Sequence, residues 1–157
     1  MNPKDDSMKN VVRCILAPWY LLGWISHVYL ALANPQVYRN FGNTALIPAL
    51  RDLWQTLVMP NIPLFALTLA AFELTVGLLI VGKGRQVRLG LIASIVFNLF
   101  LVQLGLSGQT TDWLSDFLIN RLPNLIFVAM QIPLLFHRFD RPLLEVSVSY
   151  FRRFGHA

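Results

Sequence analysis

A single cysteine, Cys14, in 157 residues excludes an intramolecular disulfide, a Cys-x-x-Cys redox pair and a multi-cysteine metal site built by this chain alone. Its plain reading is a small apolar residue near the start of a helix. Charge is scarce as well: Asp, Glu, Lys and Arg make up 13% of the chain, about half of the roughly 25% usual in a soluble domain. The three histidines, His27, His137 and His156, have no metal-ligand spacing, so no metal site is expected. There is no internal repeat of about 20–50 residues and no low-complexity tract. The length leaves room for one domain and none for a soluble catalytic domain beside several spans.

What the chain has in quantity is hydrocarbon: 55% of its residues are hydrophobic. Four apolar runs approach the roughly 20 residues that cross a hydrocarbon core about 30 Å thick. They cover 14–33, 62–81, 89–106 and 117–136. Asn34-Pro35 ends the first. Gly82-Lys83-Gly84-Arg85 forms a tight basic turn between the second and third, which makes them antiparallel neighbours; it follows a helix and lacks the Lys-Ser/Thr pair of a phosphate loop. The fourth run begins among Asn120, Arg121, Pro123 and Asn124, with Pro123 closing a short lead-in turn and Pro133 placed to kink the span. The expected fold class is therefore all-α, a four-helix polytopic membrane bundle.

The net charge of +5 is not a nucleic-acid signal once its distribution is read. Lys4, Lys9, Arg13, Lys83, Arg85, Arg88, Arg138, Arg141, Arg152 and Arg153 fall on one side of this topology, and Arg39, Arg51 and Arg121 on the other. The bias predicts both termini in the cytoplasm. Ala31-Leu32-Ala33 has the form of a leader cleavage site, but the preceding run is longer than a leader core and contains His27, so it reads as a span.

Two segments outside the spans carry their own pattern. Leu46, Leu50, Leu53 and Leu57 recur at helical spacing, with Pro48 suited to a first turn and Pro60 to a stop; with Trp54 beside Arg51 and Asp52 this predicts an amphipathic helix in the outer interface. The tail, 139–157, reads as a basic amphipathic helix on the cytoplasmic leaflet, although Leu144, Val146, Val148 and Tyr150 also alternate as in a strand.

Glu73 most needs explaining, because an acidic side chain near the middle of a span costs roughly 2.5–3.5 kcal/mol. Ala66, Ala70 and Gly77 share its face and let a neighbouring helix approach. Asn98 lies near the same depth and is its expected hydrogen-bond partner, with Gly90 and Ser94 marking close packing of the second and third helices. His27 ends an aromatic stripe, Tyr20-Trp24-His27, about one turn from Glu73 and able to join it. The cluster admits a proton relay through Glu73 and His27, a cavity for a quinone or lipid headgroup, or a buried hydrogen bond that merely staples the bundle. Gln103 and Gln131 read as interhelical hydrogen bonds. Asp112 and Asp116, one turn apart, read as a solvated face or a helix start.

The stretch from Phe72 through Glu73 and Gly77 to Gly82, followed by basic residues through Arg88 and a further span, resembles the DoxX-like family of small four-helix membrane proteins, over about 64–106. Glu73, Gly77 and Arg88 are the matching positions. The resemblance implies a four-helix fold in a prokaryotic plasma membrane and a role as the membrane subunit of an oxidoreductase assembly, linked in some relatives to quinone and to sulfur-compound oxidation. The lack of a cysteine pair speaks against the thiol-handling branch.

The expected function is a small membrane subunit that anchors or couples a partner oxidoreductase, with a quinone or lipid held in the bundle. The alternative is a proton-linked carrier acting as a homo-oligomer, and a third reading is a membrane enzyme with Glu73 and His27 as acid and base. No catalytic residue is assigned. Apart from the bilayer, the expected partners are that oxidoreductase or further copies of the chain, and not nucleic acid.

Overall fold

In hydrocarbon a chain must satisfy its own N–H and C=O groups, so each apolar run closes into a helix. The computed structural model describes residues 3–106 and 108–146, with side chains from Met8 onward. It is all-α: α1 (Pro3–Ala33), α2 (Arg39–Asn43), α3 (Pro48–Leu53), α4 (Ile62–Val81), α5 (Arg85–Leu104), α6 (Trp113–Asp116) and α7 (Leu122–Leu135). Four helical stretches are long and apolar enough to cross a membrane, Met8–Ala33, Pro48–Val81, Arg85–Leu104 and Trp113–Leu135. α1 packs chiefly on α4, α4 on α5, and α5 on α7, while α1 and α7 barely meet.

Polarity runs from the inside out. Leu22, Leu64, Leu78 and Val96 are 60–67% exposed, whereas Arg13, Glu73, Ser94, Asn98, Asn120, Arg121, Asn124 and Gln131 are buried. That inversion suits a surface solvated by lipid tails and an interior where polar groups find one another.

The spans begin and end differently from the apolar runs, for reasons visible in the side chains. α1 starts well before Cys14 because Arg13 is not a flanking charge: it is fully buried and donates to the carbonyls of Ile80 (2.9 Å) and Gly82 (2.8 Å), the open C-terminus of α4, with its guanidinium 4.4 Å from the Phe139 ring centroid. α5 begins at Arg85, four residues before the apolar run, and stops at Leu104, where Gly105 takes φ 91° and ends the helix. Arg121 mirrors Arg13 at the other end of the bundle. It donates to the carbonyls of Val102 (2.8 Å), Gln103 (3.3 Å) and Thr44, and pairs with Asp116 at 3.0 Å.

Pro48 opens α3 as expected, but Pro60 stops nothing. A π turn over Trp54–Val58 and a 3₁₀ turn over Met59–Asn61 carry the helical chain into α4, the tight turn absorbing the missing proline N–H. The interfacial helix thus lies between spans 1 and 2 and is continuous with the second. The fourth span has the same construction: Asp112 caps α6 by accepting from the Ser115 backbone N–H (3.0 Å), a π turn over Phe117–Arg121 follows, and Pro123 sits in the first turn of α7. Gly84, at φ 56°, makes the α4–α5 turn and donates its N–H to the Phe139 carbonyl at 2.7 Å. Of the tail, Leu143–Val146 is helical, and the predicted segment after Val146 lies outside the described residues.

Candidate functional site

Glycines set the α1–α4 contact. A Cβ on Gly77 would lie 2.9 Å from the backbone nitrogen of Leu21, so the helices touch main chain to side chain at that level. One turn toward the loop end, Glu73 lies beside α1, and a Cβ on Gly23 would be 2.7 Å from its Oε2. The carboxyl sits about 16 Å from the start of α4, near the middle of the span.

Its partner is not the expected Asn98. Glu73 Oε1 lies 3.4 Å from His27 Nε2, and His27 Nδ1 lies 2.6 Å from the Tyr38 hydroxyl. An imidazole with its proton on Nε2 donates to Glu73 and accepts from Tyr38, using each ring nitrogen once. Tyr38, buried beneath the loop end, is stacked between His27 and Phe41, and its carbonyl accepts from Trp54 Nε1 at 2.8 Å. Burial and the nearby Glu73 charge push the Tyr38 phenol up from 10.0 to about 12, so it remains a neutral hydroxyl at ordinary pH.

Asn98 belongs to a neighbouring group. Its Nδ2 donates to the Tyr20 hydroxyl (2.8 Å), which also accepts from Ser94 Oγ (2.7 Å), tying α5 to α1. Gly90 brings α5 against Leu79 and Ile80 of α4, the close packing its position predicted. Gln131 donates to the Phe127 carbonyl of its own helix, and Gln103 contributes its backbone carbonyl, accepting from the Leu46 N–H at 2.8 Å and from Arg121; among the described residues neither forms the interhelical side-chain bond expected.

Around these groups lies a partly open cavity of about 670 Å³. Its walls are mostly aromatic and aliphatic: Trp19 from α1, Phe65 and Phe72 from α4, Phe97 and Leu101 from α5, Phe127 from α7. Leu50, Leu53 and Trp54 roof it. Trp54 therefore faces inward, against the expectation of a membrane-surface anchor, because Gly42 lets its ring pack flat: a Cβ there would fall 2.4 Å from the ring. Glu73, His27, Tyr38, Tyr20, Asn98 and Asn124 supply the polar atoms of the lining. Two buried atoms of this set lack a hydrogen-bond partner among the described residues, Glu73 Oε2 and Asn124 Nδ2.

The structure thus brings Glu73, Asn98 and His27 to one cavity and adds Tyr38 and Asn124, which sequence reasoning passed over. Gly77 serves helix packing. Arg88, the remaining position of the family resemblance, stands in the first turn of α5, away from this lining. Among the described residues no cluster of three or more His, Cys, Asp or Glu side chains is arranged to hold a metal ion. No known protein family, curated protein or solved structure matches this chain.

Proposed function

We propose that the cavity holds a membrane-soluble molecule with a bulky apolar body and a hydrogen-bonding head, a quinone or a lipid, and that the protein is a small membrane subunit presenting it to a partner oxidoreductase. One observation carries the binding part: a space of about 670 Å³, walled by aromatic rings and provided with a few converging polar groups. That is the composition and size of a small-molecule site. Glu73 and His27 stand where they would meet the head, and Phe72, Phe97 and Phe127 where they would clasp the body. The partner rests on the DoxX-like resemblance of Phe72–Gly82. The charge bias assigns the basic end, with both termini, to the cytoplasm.

Trp19 and Trp54 line the cavity, so ligand entry is readable in tryptophan fluorescence. Titrating a short-chain quinone into the protein in lipid nanodiscs is expected to give saturable quenching. Ala66→Phe, which fills the cavity, is expected to weaken it several-fold. Quenching that rises linearly with quinone and is the same in Ala66→Phe would refute the reading.

A second reading, proton-linked carriage, is favoured by the imidazole of His27 being engaged at both nitrogens. It predicts that Glu73→Gln abolishes pH-driven uptake in proteoliposomes; uptake that persists unchanged removes it.

A further inference from the structure

A second recess, of about 560 Å³, runs along the exposed flank of α1. Ile15, Trp19 and Leu22, each at least half exposed, form its apolar rim within a membrane-spanning helix, so what surrounds it is hydrocarbon. Gly23 and Ser26 lie along it and Glu73 is at its base. Glu73 is 5% exposed, and its Oε2, the oxygen turned away from His27, has no hydrogen-bond partner among the described residues. That oxygen lies 2.7 Å from the position a side chain on Gly23 would occupy. A side chain at that position would press on the carboxyl and crowd its end of the recess. The missing side chain is a notch, and the atom behind it is a polar group buried without a partner, which is costly unless something completes it.

We propose that this notch is a lipid-side site for a neutral long-chain alcohol of the diacylglycerol type, whose hydroxyl completes the hydrogen bonding of Glu73 Oε2 while its chains lie along the rim. Near mid-membrane a charged head would be expensive, and a hydroxyl can both donate to and accept from a carboxyl. The recess shares Trp19, His27 and Glu73 with the interior cavity, but it opens on the outer flank of α1 and needs no molecule inside the bundle.

The test uses the full chain in nanodiscs, an apolar carbodiimide as reporter and mass spectrometry of the labelled peptide. A carboxylic acid adds to a carbodiimide by bonding one oxygen to the central carbon while a proton goes to one nitrogen; acyl transfer to nitrogen then leaves an N-acylurea that retains every atom of acid and reagent, with nothing oxidised or reduced. Glu73 is expected to be labelled by the apolar reagent and spared by a water-soluble carbodiimide. Gly23→Val is expected to slow labelling several-fold. Should that variant fail to fold, Ser26→Trp, at an exposed position on the same recess, closes it instead. Dioleoylglycerol added to the nanodiscs is expected to slow labelling several-fold, and triolein, which has no hydroxyl, to leave it unchanged. Labelling as fast in the blocked variant, or by the water-soluble reagent, would overturn the lipid-side notch; equal protection by triolein, or none by dioleoylglycerol, would overturn the ligand class. The fluorescence titration, run with quinone and without dioleoylglycerol, tests the interior cavity apart from these outcomes.

Discussion

At the scale of single residues, Arg13 and Arg121 do similar work at opposite ends of the bundle. A helix C-terminus leaves carbonyls without partners, and in a membrane no water reaches those that are buried. Arg13 serves Ile80 and Gly82, and Arg121 serves Val102 and Gln103. Arg13→Met is expected to destabilise the protein in detergent by about 2–6 kcal/mol, at roughly 1–3 kcal/mol for each of the two orphaned acceptors; a loss below that range in reversible denaturation would show that the carbonyls find other donors. Asp116→Asn is expected to cost less than Arg121→Met, since Asp116 is partly exposed and Arg121 keeps its carbonyl bonds. Tyr38 gives a pH signature. Its folded pKa, about 12, is above the ordinary 10.0, so the folded state retains a proton that the unfolded chain gives up. Its contribution is complete below pH 10 and is lost as pH rises toward 12. Tyr38→Phe should flatten that alkaline loss, as measured by thermal unfolding across the window. Glu73 was legible as the residue to explain because it is an acid within a span. Its partner was misread because depth along two helices fixes level and not azimuth: Asn98 faces Tyr20, while His27 faces the carboxyl.

At the scale of elements, the spans were readable from composition and their junctions were not. The run 62–81 coincides with α4, since Ile62 and Val81 are where helix and apolar character end together. Elsewhere a buried arginine looked like a boundary, and Pro60 looked like a stop because the π turn that supplies an extra residue just before it leaves no mark on hydrophobic spacing. That turn places Trp54 in the cavity roof, so deleting one residue from 55–58 is expected to rotate α3 and release Trp54. The measurement is tryptophan emission, expected to shift to longer wavelength; an unchanged maximum would mean the roof does not depend on the turn. A readable signal was missed on α7 and its lead-in. Asn120, Asn124 and Gln131 share one face, and that polar stripe points into the bundle, where all three are buried. Gly77→Val, placed against the Leu21 backbone, is expected to separate α1 from α4 and lower thermal stability, whereas Leu78→Val on the 60% exposed face should change it little.

At the scale of the whole molecule, four helical stretches of membrane-crossing length make a bundle that holds a cavity beside its packed core. Polar side chains sit in patches: Arg13 at the basic end, the Glu73 and Asn98 groups at mid-depth, Arg121 with Asn120 at the loop end. The middle patch borders the cavity, and that arrangement ties architecture to function. The most direct measurement is photolabelling of the protein in native-like membranes with a diazirine-bearing quinone analogue, followed by peptide mapping. Adducts are predicted on the cavity wall, at Phe65, Leu69 and Phe72 of α4, Leu101 of α5 and Phe127 of α7, with competition by unlabelled quinone. Adducts confined to outward residues such as Leu64, Leu78 and Val96, insensitive to competitor, would contradict the account.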